Sequence, residues 1–250
     1  MEGTTIEQMA KRLRLPNLRE CYKGLIAEAM GFNASYEAFL SLILERECEA
    51  REEKAIAKRI SSARFPYERT FAELDWSAFS LTAANAIREL QSLRFVAEGR
   101  NAALIGNPGV GKTHIAIAVG ILACQTGRTV LFESAPNLVL ELKEALKERQ
   151  VTALKKKMMS YDLLILDELG YISFDQEASQ LLFNLLSNRA EGKSTLITTN
   201  LTFDKWPSLF GDTMMATAMV DRMAAKANVI EIVGESYRVR QTAEWLKNSA

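Results

Sequence analysis

The sequence carries, at positions 106–113, the stretch Gly-Asn-Pro-Gly-Val-Gly-Lys-Thr. It fits the pattern G-x-x-x-x-G-K-[ST] of a phosphate-binding loop. An apolar run, residues 102–105, precedes the loop, and a helix-compatible run, residues 113–124, follows it. Strand, glycine-rich loop and helix in this order favour binding of a nucleoside triphosphate over the alternative, an ordinary Gly-Pro turn.

Each residue type in the loop suits contact with phosphate. Glycines let the backbone turn its N–H groups inward, Lys112 is expected to reach the β- and γ-phosphates, and the Thr113 hydroxyl is expected to bind Mg²⁺. His114 follows directly, and we interpret it as a packing residue beside the nucleotide rather than a base. The residues predicted to contact ATP here are Gly106, Asn107, Pro108, Gly109, Val110, Gly111, Lys112, Thr113 and His114.

A second segment, residues 163–168, reads Leu-Leu-Ile-Leu-Asp-Glu, which is typical of a buried parallel strand that ends in two acids. Ligands of such sheets bind at the carboxyl ends of the strands. Asp167 is therefore predicted to hold Mg²⁺, and Glu168 to orient and deprotonate the attacking water. Asn200 ends the run Leu-Ile-Thr-Thr-Asn and could hydrogen-bond the γ-phosphate or the water, or simply form a turn.

Two arginines near the end of the chain are further candidates. Arg222 lies on a predicted late helix and could reach the γ-phosphate of a neighbouring subunit as an arginine finger. A surface ion pair with Asp221 or Asp212 is the alternative. Arg238 follows the last predicted strand and could contact nucleotide in its own subunit, although Arg240 is close enough to be confused with it.

Composition excludes several classes of protein. The chain has 250 residues with 48% apolar content, and 31 Lys and Arg balance 31 Asp and Glu. No global basic field therefore indicates nucleic acid, and any DNA contact must come from local patches. Three widely spaced cysteines match neither a disulfide framework nor a zinc site. We find no leader peptide and no spanning segment, so we expect a cytoplasmic protein with reduced thiols and no membrane partner.

The pattern along the chain predicts two domains. Residues 1–64 are predicted to be a helical domain that binds DNA or a partner, with Thr5 and Gln8 as a capping box. Residues 65–80 are rich in aromatic side chains and are interpreted as a linker. From residue 81 to 250, helices and strands alternate, which predicts an α/β domain with a parallel sheet and helices on both faces. Single helices are expected over residues 82–97 and 136–160.

Two basic patches offset the neutral total charge. Each Lys or Arg that neutralises a DNA phosphate releases counterions, and several subunits would repeat the patch along a duplex. Two solvated helix faces are the alternative, because glutamates are interleaved with the second patch. The predicted DNA-binding residues are Lys11, Arg12, Arg14 and Arg19 in the first patch, and Lys143, Lys147, Lys155, Lys156 and Lys157 in the second.

Together these residues resemble the AAA+ ATPases of the DnaA/DnaC clade, and within it the IstB-like helpers of insertion-sequence transposases. The most selective runs are Asp-Glu-Leu-Gly-Tyr at 167–171 and Asp-Arg-Met at 221–223. The resemblance implies an AAA+ fold, with Lys112 and Thr113 as Walker A, Asp167 and Glu168 as Walker B, and Asn200 as sensor 1. Arg222 would be the finger acting in trans and Arg238 sensor 2. Fewer than twenty residues follow Val233, which implies a reduced or absent lid.

The resemblance also implies a function. The expected cofactors are ATP and Mg²⁺, and the expected partners are double-stranded DNA, a cognate transposase and further copies of the chain. The alternative is a helicase loader that binds a replicative helicase and single-stranded DNA, which the core motifs do not distinguish. A small-molecule kinase is poorly supported, because it would leave Glu168 and Arg222 without a role.

Overall fold

The predicted alternation of helix and strand beyond residue 81 is confirmed by the structure, a computed structural model that describes residues 5–171, 173–224, 227–234 and 236–237. The chain divides into two units, Met1–Lys58 and Arg59–Ala250. The predicted nucleotide-binding residues all belong to the second unit, and the first basic patch belongs to the first.

The N-terminal unit contains α1 (Ile6–Arg12), α2 (Pro16–Gly31) and α3 (Tyr36–Ser62) as far as Lys58. The predicted capping box is confirmed, since the N–H groups of Gln8 and Thr5 each donate to the other residue's side chain, at 3.3 and 3.2 Å. The buried carboxylate of Glu47 accepts hydrogen bonds from the N–H of Leu18 and from Arg51 Nε, both at 3.1 Å. Glu47 therefore fastens the first turn of α2 to α3.

The second unit contains the strands and the remaining helices. Among the described residues, five strands form one parallel sheet in the order β2-β3-β4-β1-β5. This order places the ends of β3 and β4 beside the loop that follows β1. In chain order the elements are α4 (Leu81–Gln91), α5 (Arg94–Ala97), β1 (Ala102–Gly106), α6 (Lys112–Gln125), β2 (Val130–Ser134), α7 (Ala135–Lys147), α8 (Val151–Ser160), β3 (Leu163–Leu169), α9 (Gln176–Arg189), β4 (Ser194–Thr199), α10 (Trp206–Phe210), α11 (Thr213–Ala224) and β5 (Asn228–Ile232).

Helices cover both faces of the sheet, as predicted. Successive residues of β3 point to opposite faces. Ile165 packs in the cluster that includes α6 and α4, whereas Leu164 and Leu166 pack in the cluster that includes α7 and α9. Because both faces are buried, the strand has no polar side and reads as an uninterrupted apolar run.

Two predicted helices are each broken, and the single-helix expectations over 82–97 and 136–160 were wrong. Arg149 has a φ of +59°, and the N–H of Gln150 bonds back to the carbonyl of Ala145 at 2.7 Å, which ends α7. Leu93, with a φ of +53°, separates α4 from α5. Glycine usually occupies such a position, so an arginine and a leucine gave no signal in the sequence.

The segment between residues 65 and 80 forms two short 3₁₀ turns, Phe71–Glu73 and Trp76–Ala78. The rings of Phe71 and Trp76 stack with centroids 6.4 Å apart, and both pack against the apolar cluster that contains α6. The aromatic residues therefore fix this segment beside the beginning of α6.

A buried arginine, Arg189, connects two helices to a strand at the end of the sheet opposite the phosphate-binding loop. Arg189 donates to the carbonyl oxygens of Met158 at 2.5 Å and Ser194 at 2.6 Å, which joins the ends of α8 and α9 to the beginning of β4. Burial lowers the pKa of Arg189 to about 10, against an opposing effect of the Asp162 charge. These carbonyl groups are what makes an ionised guanidinium tolerable at this depth.

Candidate nucleotide-binding site

The predicted phosphate-binding loop joins β1 to α6, and its shape requires glycine. Gly109 and Gly111 have φ angles of +82° and +94°, which residues with a Cβ rarely adopt. A Cβ at Gly109 would lie 2.1 Å from Ser236 Oγ, and the N–H of Tyr237 donates to the Gly109 carbonyl at 2.9 Å. Ser236 and Tyr237 therefore pack directly on the tip of the loop.

Lys112 begins α6, and its ammonium group is held inside the loop. Nζ donates to the carbonyl oxygens of Gly106 at 2.7 Å and Asn107 at 2.8 Å, and the residue is buried. These bonds offset part of the cost of burying the charge and fix its direction. The positive end of the α6 dipole lies at the same point, so the loop is suited to a phosphate group.

The end of β3 meets the beginning of α6 at a pair of oxygen-bearing side chains. Thr113 Oγ1 lies 3.1 Å from both carboxylate oxygens of Asp167. Asp167 Oδ1 also accepts a hydrogen bond of 2.5 Å from Thr198 Oγ1, which comes from β4. The carboxylate is thus directed at the residue that follows the phosphate-binding lysine.

This pair fits a magnesium ion. Hydroxyl and carboxylate oxygens are the ligands that Mg²⁺ takes from proteins, and here they converge on one point. Burial raises the pKa of Asp167, although hydrogen bonds from Thr198 and Thr113 and the charge of Lys112 act in the opposite direction. A cation at this point would offset the cost of burying the ionised carboxylate.

Glu168 stands at an irregularity in β3. The pairing between β3 and β4 shifts register between Leu166 and Leu169, and Glu168 has a φ of +61°. A residue other than glycine in this region costs about 1–3 kcal/mol, and such strain is concentrated at functional sites. The bulge turns the Glu168 side chain away from the buried faces of the sheet. Glu168 is therefore exposed and lines the cavity in front of the loop.

A cavity of about 550 Å³ opens in front of the phosphate-binding loop. This volume is within the range of small-molecule sites. One wall comes from the segment between residues 65 and 80, and the other from the ends of the strands. Its lining includes Tyr67, Arg69, Glu73, Asp75 and Phe79 from that segment, then Lys112, Thr113, His114, Glu168, Tyr171, Thr198 and Tyr237.

The comparisons with known proteins agree with this geometry. The family described as IstB-like ATP-binding protein matches residues 8–244. The chain belongs to this family. It is 34% identical to an ATP-binding protein of insertion sequence IS21 from Pseudomonas aeruginosa, over 94% of this chain and 89% of that protein. It is 33% identical to the ATP-binding protein of IS5376 from Geobacillus stearothermophilus, over 94% of each.

A solved structure shows the fold of this IstB-like chain. The crystal structure of the DnaC helicase loader matches with a TM-score of 0.54 and 24% identity, covering 70% of this chain and 99% of that one. With the parallel sheet, this confirms the AAA+ fold class. No helix in the described part of the chain has the length and apolar character needed to cross a membrane.

His114 lines the cavity of the IstB-like site, whereas Asn200 does not. His114 Nε2 is 3.0 Å from the carbonyl oxygen of Thr70, so it links α6 to the wall of the cavity that it also lines. Asn200 follows the end of β4 and is not part of the cavity lining. Its Oδ1 is buried without a hydrogen-bond partner among the described residues, and an added Cβ at Gly170 would lie 3.0 Å from it.

Of the two candidate arginines, Arg222 lies within the described residues and Arg238 does not. Arg222 is exposed on α11, and its guanidinium carbon lies 5.9 Å from the centre of the Phe183 ring. It forms no ion pair with a carboxylate in the described part of the chain, and it does not line the cavity. Arg238 lies outside the described residues.

The candidate DNA-binding residues are mostly exposed. Lys11 and Arg12 end α1, Arg14 lies in the turn before α2 and Arg19 lies on α2, where it pairs with Glu20 at 3.4 Å. In the second patch the members with exposed side chains are Lys147, Lys156 and Lys157, whereas Lys155 is half-buried. Lys143 forms an ion pair with Asp175, so it is less available to phosphate than its neighbours.

The sequence interpretation missed two parts of the site. Thr198 was quoted only as part of a strand, yet its side chain reaches the cavity and Asp167. The sequence offered no signal that separated Thr198 from Thr199, because both are threonines in the same run and Asn200, two residues after Thr198, does not line the cavity. The second omission is the wall formed by residues 67–79, for which aromatic content alone gave no indication of a ligand.

Proposed function

We propose that this protein is an ATP-dependent, DNA-binding AAA+ ATPase that assembles on duplex DNA and assists an insertion-sequence transposase in target selection and transposition. The observation that carries the proposal is the convergence of Thr113, Asp167 and Glu168 on the end of the phosphate-binding loop. Its relatives are ATP-binding proteins of insertion sequences, which supplies the biological setting.

The chemistry assigned to the chain follows from these groups. Lys112 and the N–H groups of the loop would bind the phosphates, and Thr113 with Asp167 would hold Mg²⁺, which neutralises charge that develops on the phosphate oxygens. Glu168 would accept a proton from the attacking water, since its carboxylate is exposed in the cavity next to the ligand pair. Asn200 is half-buried, and its side chain would have to turn outward from the position that buries Oδ1 to contact the γ-phosphate.

Assembly on DNA is the second half of the proposal. Arg222 is exposed and absent from the lining of its own cavity, which supports a role at the site of a neighbouring subunit. The exposed lysines and arginines of the two patches would contact DNA phosphates rather than bases, and repetition across subunits would multiply a weak contact. ATP bound between subunits would then couple assembly to nucleotide state, and hydrolysis would release it.

Sedimentation of the purified protein with duplex or single-stranded DNA, each with and without ATP, tests the assembly. The expected result is a large complex on duplex DNA that requires ATP and dissociates at high salt. A complex confined to single strands would favour the alternative, a helicase loader, which the fold likeness to the DnaC loader makes worth testing. Equal sedimentation with and without ATP would contradict nucleotide-controlled assembly.

Glu168→Gln tests the assigned hydrolysis. This variant should bind ATP like the wild type but lose about 10²–10⁴-fold in turnover, because general-base catalysis contributes this much. Glu191→Gln is a suitable control, since Glu191 is an exposed carboxylate in the turn before β4, at the opposite ends of the strands. Undiminished turnover in Glu168→Gln would remove Glu168 from the mechanism.

A further inference from the structure

The hydroxyl of Thr198 connects the two acids of the proposed ATPase site. Thr198 lies near the end of β4 and is buried, and Oγ1 donates to Asp167 Oδ1 at 2.5 Å. The same oxygen accepts a hydrogen bond of 3.0 Å from the N–H of Glu168. A hydroxyl group has one proton and two lone pairs, so both bonds form at once.

The position of this hydroxyl explains how the strained turn at Glu168 is held. The bulge at the end of β3 shifts the pairing with β4 between Leu166 and Leu169, so Glu168 lies outside the regular register of the two strands. Within this irregular stretch, Thr198 Oγ1 accepts a hydrogen bond from the Glu168 N–H. One side chain on β4 thus fixes the carboxylate of Asp167 and the backbone that carries Glu168.

The neighbouring threonine provides a contrast. Thr199 is also fully buried, but its Oγ1 accepts a hydrogen bond from the N–H of Leu201 at 3.0 Å and it does not line the cavity. Two consecutive strand residues direct their side chains to opposite faces. Although Thr199 pairs with Leu169 in the sheet, only the Thr198 side chain bonds to Asp167 and to the N–H of Glu168. Thr198 and Thr199 therefore match in residue type, burial and strand, and differ in whether they reach the site.

We propose that Thr198 is a positioning residue for ATP hydrolysis, which sets the direction of Asp167 toward the metal site and of Glu168 toward the attacking water. The inference rests on the proposed ATPase function. It assigns to Thr198 no contact with nucleotide. Loss of its hydroxyl would remove an acceptor from the Glu168 N–H and a donor from Asp167, so the two carboxylates would no longer keep a fixed separation.

The test compares Thr198→Val, which has nearly the same shape without the hydroxyl, with Thr198→Ser, which keeps the hydroxyl, and with Thr199→Val. Turnover of ATP is measured in the presence of duplex DNA. Affinity for a fluorescent ATP analogue is measured with Mg²⁺ and with EDTA, and Tm reports folding. If Thr198→Val does not fold, Thr198→Ala replaces it in the same comparison.

Thr198→Val should lower kcat by about 10–100-fold, as loss of a group that orients metal ligands does, with little change in KM for ATP. In the wild type, the nucleotide analogue should bind more tightly with Mg²⁺ than with EDTA. Thr198→Val should reduce this difference, while its affinity measured in EDTA should stay near the wild-type value. Thr198→Ser should recover most of both effects. Thr199→Val should lower Tm at most, with kcat and the Mg²⁺ dependence unchanged.

Two results would overturn the inference in distinguishable ways. If the wild type hydrolyses ATP and Thr198→Val has the same kcat and the same Mg²⁺ dependence, the positioning role is refuted and the proposed ATPase function stands. Equal losses in Thr198→Val and Thr199→Val would reduce the role to general packing and overturn it as well. No ATP turnover by the wild type with duplex DNA would instead refute the proposed ATPase function on which the inference rests.

Discussion

Replacement of Arg222 by alanine should separate catalysis from folding and from ATP binding. The side chain is exposed, and the only ring or ion contact that the described structure gives it is with Phe183, at 5.9 Å. A cation–π contact at an exposed site contributes about 0.5–1 kcal/mol. In a domain of this size that is a fall in Tm of about 4 °C or less.

The expected effect on hydrolysis is far larger. An arginine finger that stabilises transition-state charge contributes about 10³–10⁵-fold in rate, equivalent to about 4–7 kcal/mol. Because Arg222 is absent from the cavity of its own subunit, affinity for ATP in a dilute, unassembled sample should remain unchanged. Asp221→Asn, at the adjacent exposed position, is the control and should keep wild-type turnover.

Mixing two inactive variants tests whether the arginine acts across subunits. Arg222→Ala keeps Glu168, and Glu168→Gln keeps Arg222, so a mixed assembly contains interfaces with both groups. Random assembly of equal amounts should make about one quarter of the interfaces complete, so the mixture should recover about a quarter of wild-type turnover. Recovery should rise with protein concentration and with duplex DNA. Turnover of Arg222→Ala within tenfold of wild type, or an inactive mixture that still assembles, would refute the reasoning.

Three further predictions concern groups outside the proposed site. Burial would raise the pKa of Asp162, but hydrogen bonds from a backbone N–H and from Lys193 lower it to about 2. Because solvent screens this partly exposed group, Asp162→Asn should cost about 1 kcal/mol at pH 7, and the difference from wild type in urea unfolding should vanish as pH falls from about 4 to about 2; a constant difference would contradict this. Arg189→Met should lower the unfolding free energy by about 3 kcal/mol, because the buried carbonyl groups lose their charged donor. Unchanged urea unfolding would contradict this and would show that the cost of burying the guanidinium charge equals the stabilisation from its hydrogen bonds. Burial raises the pKa of Cys124 to about 11, against an opposing Arg59 charge, so alkylation at pH 8 followed by mass spectrometry should label the exposed Cys48 and leave Cys124 unlabelled until the protein unfolds.

The sequence alone was sufficient where function depends on residues that are neighbours in the chain. The loop at 106–113 contains its own glycines, lysine and threonine, and the flanking apolar runs form β1 and α6 as predicted. Apolar strands ending in polar residues likewise predicted the parallel sheet, because a strand buried on both faces has to be apolar throughout. Membership of the IstB-like family followed from the same short motifs.

Tertiary structure decided everything that depends on residues far apart in sequence. Thr198 reaches Asp167 and Glu168 across about thirty residues, only because β4 lies beside β3 in the sheet. The bulge at Glu168 and the break at Arg149 both place a residue other than glycine at positive φ, a cost that surrounding contacts compensate and that residue type does not reveal. The motif therefore specified the phosphate-binding loop, whereas strand order and long-range hydrogen bonds determined how its acidic partners are held.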